Sequence, residues 1–278
     1  MSFKNILQEF SKIDDAEMGK SSVRRDILKN ITRKVALTAL PFTIGANSNK
    51  ATAKSTNVSI DTLNFILSFQ HIVAEFFKQA VSLGTANSLF PSTDAQQAFV
   101  TIRNHEAAHV KFLTQTINAA SPNAAIPVNA KGYDYTLGGT LLTFNDYKTL
   151  LAVAQVLLDL SVRTYKGQIG GFVRNPLLTD LFSIQSVLAR NASHVRQMRT
   201  TIAGGSIMIK PWITQKQTSI SNPAFNASYA GEETAVQYGI SIVGIGGQAI
   251  LADAATEAFD EPLTQAEVTT IITPMIIT

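Results

Sequence analysis

Ile102-Arg103-Asn104-His105-Glu106-Ala107-Ala108-His109-Val110-Lys111-Phe112-Leu113 is the stretch on which the fold turns. A helix advances about 100° per residue, so Phe99, Ile102, Glu106, His109 and Leu113 fall on one stripe. That stripe places a carboxylate and an imidazole among apolar neighbours, on the face that packs inward. A charge there is costly unless it is paired, hydrogen-bonded or bound to metal.

Glu-x-x-His on an inward face is half of the ligand set of a di-iron four-helix bundle, in which two helices supply Glu-x-x-His and two supply a lone Glu. The same residues also read as a buried ion pair or as an exposed helix face. The other helices have to decide.

Four long helical patterns dominate the chain. The first runs from Leu63 to Leu83, with Leu63, Leu67, Gln70, Ala74, Phe77 and Val81 in line and Ser59 or Asp61 as N-cap. The second runs from Asp94, its expected cap, to Asn118. A Gly- and Pro-punctuated connection from Ala119 to Thr143 follows, long enough to cross a bundle. The third helix spans Asn145 to Gly167, with Leu151, Ala154, Leu158, Ser161 and Tyr165 on one stripe. The fourth opens at Asn175-Pro176 and continues to Ala203, with Leu181, Leu188, Asn191 and Val195 inward, until Gly204-Gly205 stops it. Beyond Ser206 the pattern breaks into loop. Helix is expected again over Gly231–Ala255, with Glu232-Glu233 at its start, and over Gln265–Ile277, where Asp260-Glu261-Pro262 reads as a helix N-terminus. The expected fold is all-α: a four-helix bundle with one long crossover over residues 54–205, then a loop and a C-terminal helical extension over 206–278.

Composition narrows the function. With 278 residues, 45% hydrophobic and 15% charged, the chain buries a sizeable core. No apolar run reaches the roughly 20 residues of a membrane span, so no transmembrane segment is expected. Cysteine is absent, which excludes thiolate metal sites and a cysteine nucleophile. Residues 1–53 hold nine Lys/Arg and five Asp/Glu of the chain's 23 and 20, leaving 14 and 15 for residues 54–278, a net of −1. A nearly neutral body argues against a nucleic-acid partner. No Gly-x-Ser-x-Gly elbow occurs, and Gly244-Ile245-Gly246-Gly247 has neither the strand context nor the spacing of a phosphate loop.

Residues 1–53 read as an export signal. Arg24-Arg25 precede Asp26-Ile27-Leu28-Lys29, then the apolar run Val35–Gly45 and the small-residue site Ala51-Thr52-Ala53, an order similar to a twin-arginine signal. This implies a periplasmic or otherwise exported protein. A retained N-terminal helix in a cytoplasmic protein is the alternative.

Several segments together resemble the ferritin-like domain proteins that include plant desiccation-related proteins and exported bacterial members. They are Leu63-Asn64-Phe65 with Ala74-Glu75-Phe76-Phe77, His105-Glu106-Ala107-Ala108-His109, Thr164-Tyr165-Lys166-Gly167, Ala189-Arg190-Asn191-Ala192-Ser193-His194-Val195-Arg196, Tyr229-Ala230-Gly231-Glu232, and Ala258-Phe259-Asp260-Glu261-Pro262-Leu263-Thr264. The resemblance implies a ferritin-like bundle with its di-iron ligand positions at Gln70, Glu106 and His109, Leu158, and Leu188 and Asn191. Only the second helix keeps its pair, so the implied centre is degenerate. One reading is a metal-free bundle, with Gln70, Asn191 and Tyr165 completing a hydrogen-bond network around Glu106, that serves as a structural, stress-protective or interaction module. The other is a mononuclear iron, manganese or zinc site on Glu106 and His109, with Gln70 or His194 added, doing oxidase or peroxide-scavenging chemistry. Asp159 is a further neighbour of the Leu158 position; His71 and His105 lie off the inward stripe. The apolar end of the chain (Ile271, Ile272, Met275, Ile276 and Ile277) must cover either a bundle face or a partner, with a homodimer as the expected association.

Overall fold

A computed structural model describes residues 60–202, 209–218, 220 and 222–278, which fall in one compact unit. The signal-like stretch 1–53, Arg24 and Arg25 included, and the Gly204-Gly205 stop lie outside the described residues. Four helices form the bundle: α1 (Ile60–Ala86), α2 (Thr93–Ala120), α3 (Tyr147–Ile169) and α4 (Leu177–Ile202). All four match the expected patterns, because each has an apolar stripe of helical period that has to be buried. Short connections pair α1 with α2 and α3 with α4, and α1 packs on α3 to join the pairs.

The helix starts show which polar residue wins a cap. Ser92, not Asp94, caps α2: its backbone is extended and its hydroxyl accepts the Ala95 N–H at 3.2 Å. Asp94 sits inside the first turn, where its charge meets the positive end of the helix dipole. Ser92→Ala is expected to cost about 1 kcal/mol, read as a fall of roughly 2–4 °C in the thermal midpoint. Asp146 caps α3 through the Thr149 N–H at 2.7 Å, and Asn175 accepts the Leu177 N–H at the start of α4.

The crossover between α2 and α3 is pinned by side chains. Asn64 of α1 donates to the Ala124 carbonyl and accepts from the Ile126 N–H, while His71 meets the Ile126 carbonyl. Tyr135 donates to the Ile72 carbonyl at 2.6 Å and stacks edge-on against Phe76 and Phe144. These bonds satisfy backbone that would otherwise be buried without partners.

Every residue of α3 from Leu150 to Tyr165 is buried. The bundle covers one side; the segment after α4 covers the other. Two short helices, α5 (Ala252–Glu257) and α6 (Gln265–Ile272), and a 3₁₀ turn at Pro223–Tyr229 belong to this segment. Its residues 260–264 lie so close to α3 that a Cβ at Gly167 would sit 1.9 Å from the Leu263 carbonyl oxygen. Only glycine permits that approach.

The C-terminal extension departs from expectation in one place. Gly231–Ala255 is not a helix: it holds a hairpin of β1 (Val236–Gln237) and β2 (Ile240–Ser241), then a 3₁₀ turn at Ile245–Gly247, before α5 begins. Gly231, Gly239, Gly244, Gly246 and Gly247 all have positive φ, a conformation that a right-handed helix does not contain. The glycines spaced along an apolar run were turn residues, not helix-packing contacts. The last helix stops at Ile272, with Thr264, not Asp260, as its N-cap in a capping box with Glu267, and a 3₁₀ turn (Thr273–Met275) follows. Ile272 and Met275 are buried, and the chain end bonds back to the crossover through Asp134 N–H to Met275 O and Ile277 N–H to Gly132 O. The apolar tail therefore covers a face of its own bundle. Among the described residues no helix is long and apolar enough to cross a membrane.

Candidate functional site

Glu106 is fully buried, and so are Gln70, Tyr165, Leu158 and Leu188. Helix periodicity puts Gln70 of α1 and Asn191 of α4 on the faces turned toward α2, where the carboxylate of Glu106 receives three groups. Gln70 Nε2 donates to Oε2 at 2.6 Å, Asn191 Nδ2 donates to Oε1 at 3.2 Å, and His109 Nδ1 lies 3.3 Å from Oε2. An ionised carboxylate only accepts, so the His109 ring carries its proton on Nδ1 in this contact.

Two further residues set the direction of the amides. Tyr165 OH donates to Gln70 Oε1 at 2.8 Å, and His105 Nδ1 stands 3.2 Å from Asn191 Oδ1. Flipping either amide would set its carbonyl oxygen against a Glu106 carboxylate oxygen, acceptor against acceptor. Both amides therefore turn their N–H ends to the carboxylate, and a chain Tyr165–Gln70–Glu106–Asn191–His105 brings dipoles onto one buried charge. Such a network stabilises an anion without a cation. Burial, reinforced by the Glu106 charge, pushes the Tyr165 phenol well above its ordinary pKa, so it stays a donor.

The remaining sequence candidates go elsewhere. Leu158 and Leu188 are hydrocarbon in the core. His194 is exposed, while the cluster is buried. Asp159 is buried but committed: Arg196 grips it with Nη2 at 2.5 Å and Nε at 3.1 Å, and Tyr229 OH donates to it at 2.6 Å. Asn191 and Gln70 are bonded to Glu106; His105 is half-buried and reaches the network only through Asn191.

A second polar seam unites residues that the sequence placed separately, Asp159 beside a ligand position and Glu232 and Glu261 at helix starts, with Gln155 and Arg163, which had no assignment. Gln155, Asp159 and Arg163 stand at i, i+4 and i+8 of α3, a spacing that reads as a solvent face. The C-terminal segment covers it. Gln155 bonds the Thr218 carbonyl and Tyr229 OH, and Arg163 donates to the carbonyls of Glu261, Ser228 and Ala230 while pairing with Glu232 Oε1 at 2.6 Å. Glu232 also accepts the Glu261 N–H at 2.8 Å, but its Oε2 has no hydrogen-bond partner among the described residues. Burial drives the Glu232 carboxyl up to about 7 against the pull of Arg163, and lowers Arg163 as well. The spacing on α3 was the available signal, but a polar stripe does not announce what covers it.

Chemically, the first cluster is closed and acceptor-poor, and the second is an anchor for backbone carbonyls. Among the described residues, no three His, Asp or Glu side chains converge as a metal-binding group. No match to the chain was found among curated proteins. A profile of the ferritin-like domain matches residues 59–201, just over half of the sequence and the whole of the bundle, and the chain belongs to that family.

Proposed function

We propose that this protein is an exported ferritin-like bundle in which a hydrogen-bonded core stands where family members of the di-iron type hold metal, and that it acts as a structural, stress-protective or interaction module. The observation that carries this is the convergence of Gln70, Asn191 and His109 on Glu106, with Leu158 and Leu188, the other two ligand positions that the resemblance implies, buried as hydrocarbon in the same bundle core. The di-iron group implied by the family does not fit this donor set. Two ferrous ions would bring four positive charges to a single carboxylate in a low-dielectric interior. Asp159, the one further carboxylate nearby in sequence, is neutralised by Arg196. A single ion on Glu106 and His109 would have to displace the Gln70 amide and leave Tyr165 and Gln70 with broken partners.

The test is metal content and thermal midpoint together, on protein purified without chelator or nickel. We expect substoichiometric iron, manganese and zinc, and a midpoint that stoichiometric metal leaves unchanged. A midpoint raised by several degrees would restore Glu106 and His109 as ligands, because binding to the folded state alone stabilises by linkage. The export part rests on Arg24-Arg25 and Ala51-Thr52-Ala53. Arg24→Lys with Arg25→Lys is expected to trap the precursor in the cytoplasm; mature protein that still begins at Met1 would refute export.

A further inference from the structure

The surface that the tail helix does not supply is supplied by the hairpin. From Val236 to Leu251 the chain has sixteen residues and no charge. Val236, Ile240, Val243, Ile245 and Leu251 are exposed along it, and Tyr238 at the tip is completely exposed. The hairpin has a two-residue turn in which Tyr238 (φ 53) and Gly239 (φ 81) both have positive φ. That turn favours Asn-Gly, and a tyrosine in its first position is strained. Here the strained residue holds a bare aromatic ring away from the body. Gln237 Nε2, bonded to Glu261 Oε1 at 2.5 Å, ties the strand residue next to the turn to the segment on α3, so the ring is presented from a fixed mount.

The same chain carries a receptor for such a ring. Leu137 and Thr140 of the crossover, Phe225 of the 3₁₀ turn, and Ile271, Pro274 and Met275 at the chain end line an open cleft of about 340 Å³. An apolar cavity of about 150 Å³ already admits benzene, so the cleft has room for a phenol with its hydroxyl toward Thr140 and Ser228.

We propose that two copies of this chain associate by exchanging hairpins, the Tyr238 tip of each entering the other's cleft between the crossover and α6. Charge favours a second copy as the occupant. In a two-fold association residue i meets residue j and j meets i, so one hairpin-in-cleft contact is made twice, and neither the hairpin stretch nor the cleft lining carries a charge that the contact would leave unpaired. The body, at a net of −1, adds almost no repulsion. The paired charges Lys216–Glu233 and Lys210–Glu257 stand at the edge of the same segment, as rim charges do in protein interfaces.

Sedimentation of the full-length chain at several concentrations tests this. Wild type is expected to pair reversibly. Tyr238→Asp removes the knob and Ala224→Trp fills the cleft; each is expected to weaken pairing by about thirty-fold or more, the loss seen when an interface anchor is removed. Both positions are exposed, so an unchanged circular-dichroism melt verifies folding. Mixing the two variants leaves one intact knob and one intact cleft and is expected to give a heterodimer that neither forms alone. A wild type that stays monomeric at high concentration overturns the proposal, as does pairing that survives both substitutions. Tyr238-dependent binding to zwitterionic phospholipid vesicles by a monomer would assign the hairpin to a bilayer and overturn it equally.

Discussion

Arg163→Met is expected to lower the thermal midpoint by roughly 10 °C and to open the segment after α4 to proteolysis before the bundle unfolds. The guanidinium is almost completely buried and serves four acceptors: the Glu232 carboxylate and the carbonyls of Ser228, Ala230 and Glu261. Methionine keeps much of the volume but none of the donors. Removing one partner of a buried pair costs about 3–5 kcal/mol, chiefly because the other charge is left uncompensated. For a domain of this size each kcal/mol moves the midpoint by about 2–4 °C. Thermal melts with limited proteolysis measure both effects. Arg163→Met combined with Glu232→Leu should recover much of the loss, since a buried pair replaced as a unit by apolar residues is often neutral. If the single and double variants lose the same amount, the carbonyl contacts hold the segment and the ion pair contributes little.

The same pair gives stability a pH dependence of definite sign. The Glu232 carboxyl is raised from its ordinary 4.5 to about 7 by burial. Between those values the folded protein holds a proton that the unfolded chain has already released. Stability from this group therefore falls as pH rises through the window and is fully lost above it. Burial is the physical reason: the charged carboxylate loses its water there, and Oε2, with no partner among the described residues, gains no protein donor in exchange. Glu232→Gln keeps the shape and discards the proton equilibrium, so it should flatten the fall in midpoint measured from about pH 5 to about pH 8. An unchanged slope would place its origin in another group, with Asp260, also raised by burial, the next to substitute.

Periodicity made the bundle legible because each helix carries an apolar stripe of helical period, even α3, which is buried on its other faces as well, and period is a property of neighbours in sequence. The Glu106 network was legible for the same reason: Gln70, Glu106, Tyr165 and Asn191 interrupt those stripes, and a polar residue facing a core needs partners there. Residues 231–255 were not legible as a hairpin. Ile240-Ser241-Ile242-Val243 is apolar enough for either element, and only the backbone shows the glycines in left-handed conformations. The seam on α3 failed differently. Gln155, Asp159 and Arg163 obey helical spacing, yet their partners are remote: Glu232 and Glu261 follow Arg163 by 69 and 98 residues, and Arg196 follows Asp159 by 37. No local rule couples positions that far apart. Ser92 was passed over as a cap for Asp94 because both are good caps, and the choice rests on which backbone stays extended.

Leu158→Glu with Leu188→Glu is the largest change we expect any pair of substitutions in the bundle to produce. Both side chains are fully buried, and each contributes roughly 1.5–3 kcal/mol by leaving water. The variants would forfeit that and would also bury two carboxylates near Glu106, each at a cost of several kcal/mol. Together these are of the same size as the roughly 5–15 kcal/mol by which a domain is stable, so the apo double variant is expected to lose its cooperative melt. Its charges, however, restore three of the four carboxylates and one of the two imidazoles of a di-iron set, from three helices, with Gln70 and Asn191 as weaker oxygen donors at the remaining two positions. Anaerobic ferrous iron at about a thousand times its dissociation constant stabilises the folded form by about 4 kcal/mol, enough to bring back a measurable transition. Recovery of the melt with two irons per chain would show that the packing of α1 to α4 still has the spacing of a metal-holding bundle and that hydrocarbon at two positions keeps the wild type from using it. A double variant that stays unfolded with iron present would show that the hydrogen-bonded core around Glu106 has drawn the helices into a different spacing, while one that melts like wild type without iron would mean that side chains at positions 158 and 188 reach water rather than the core.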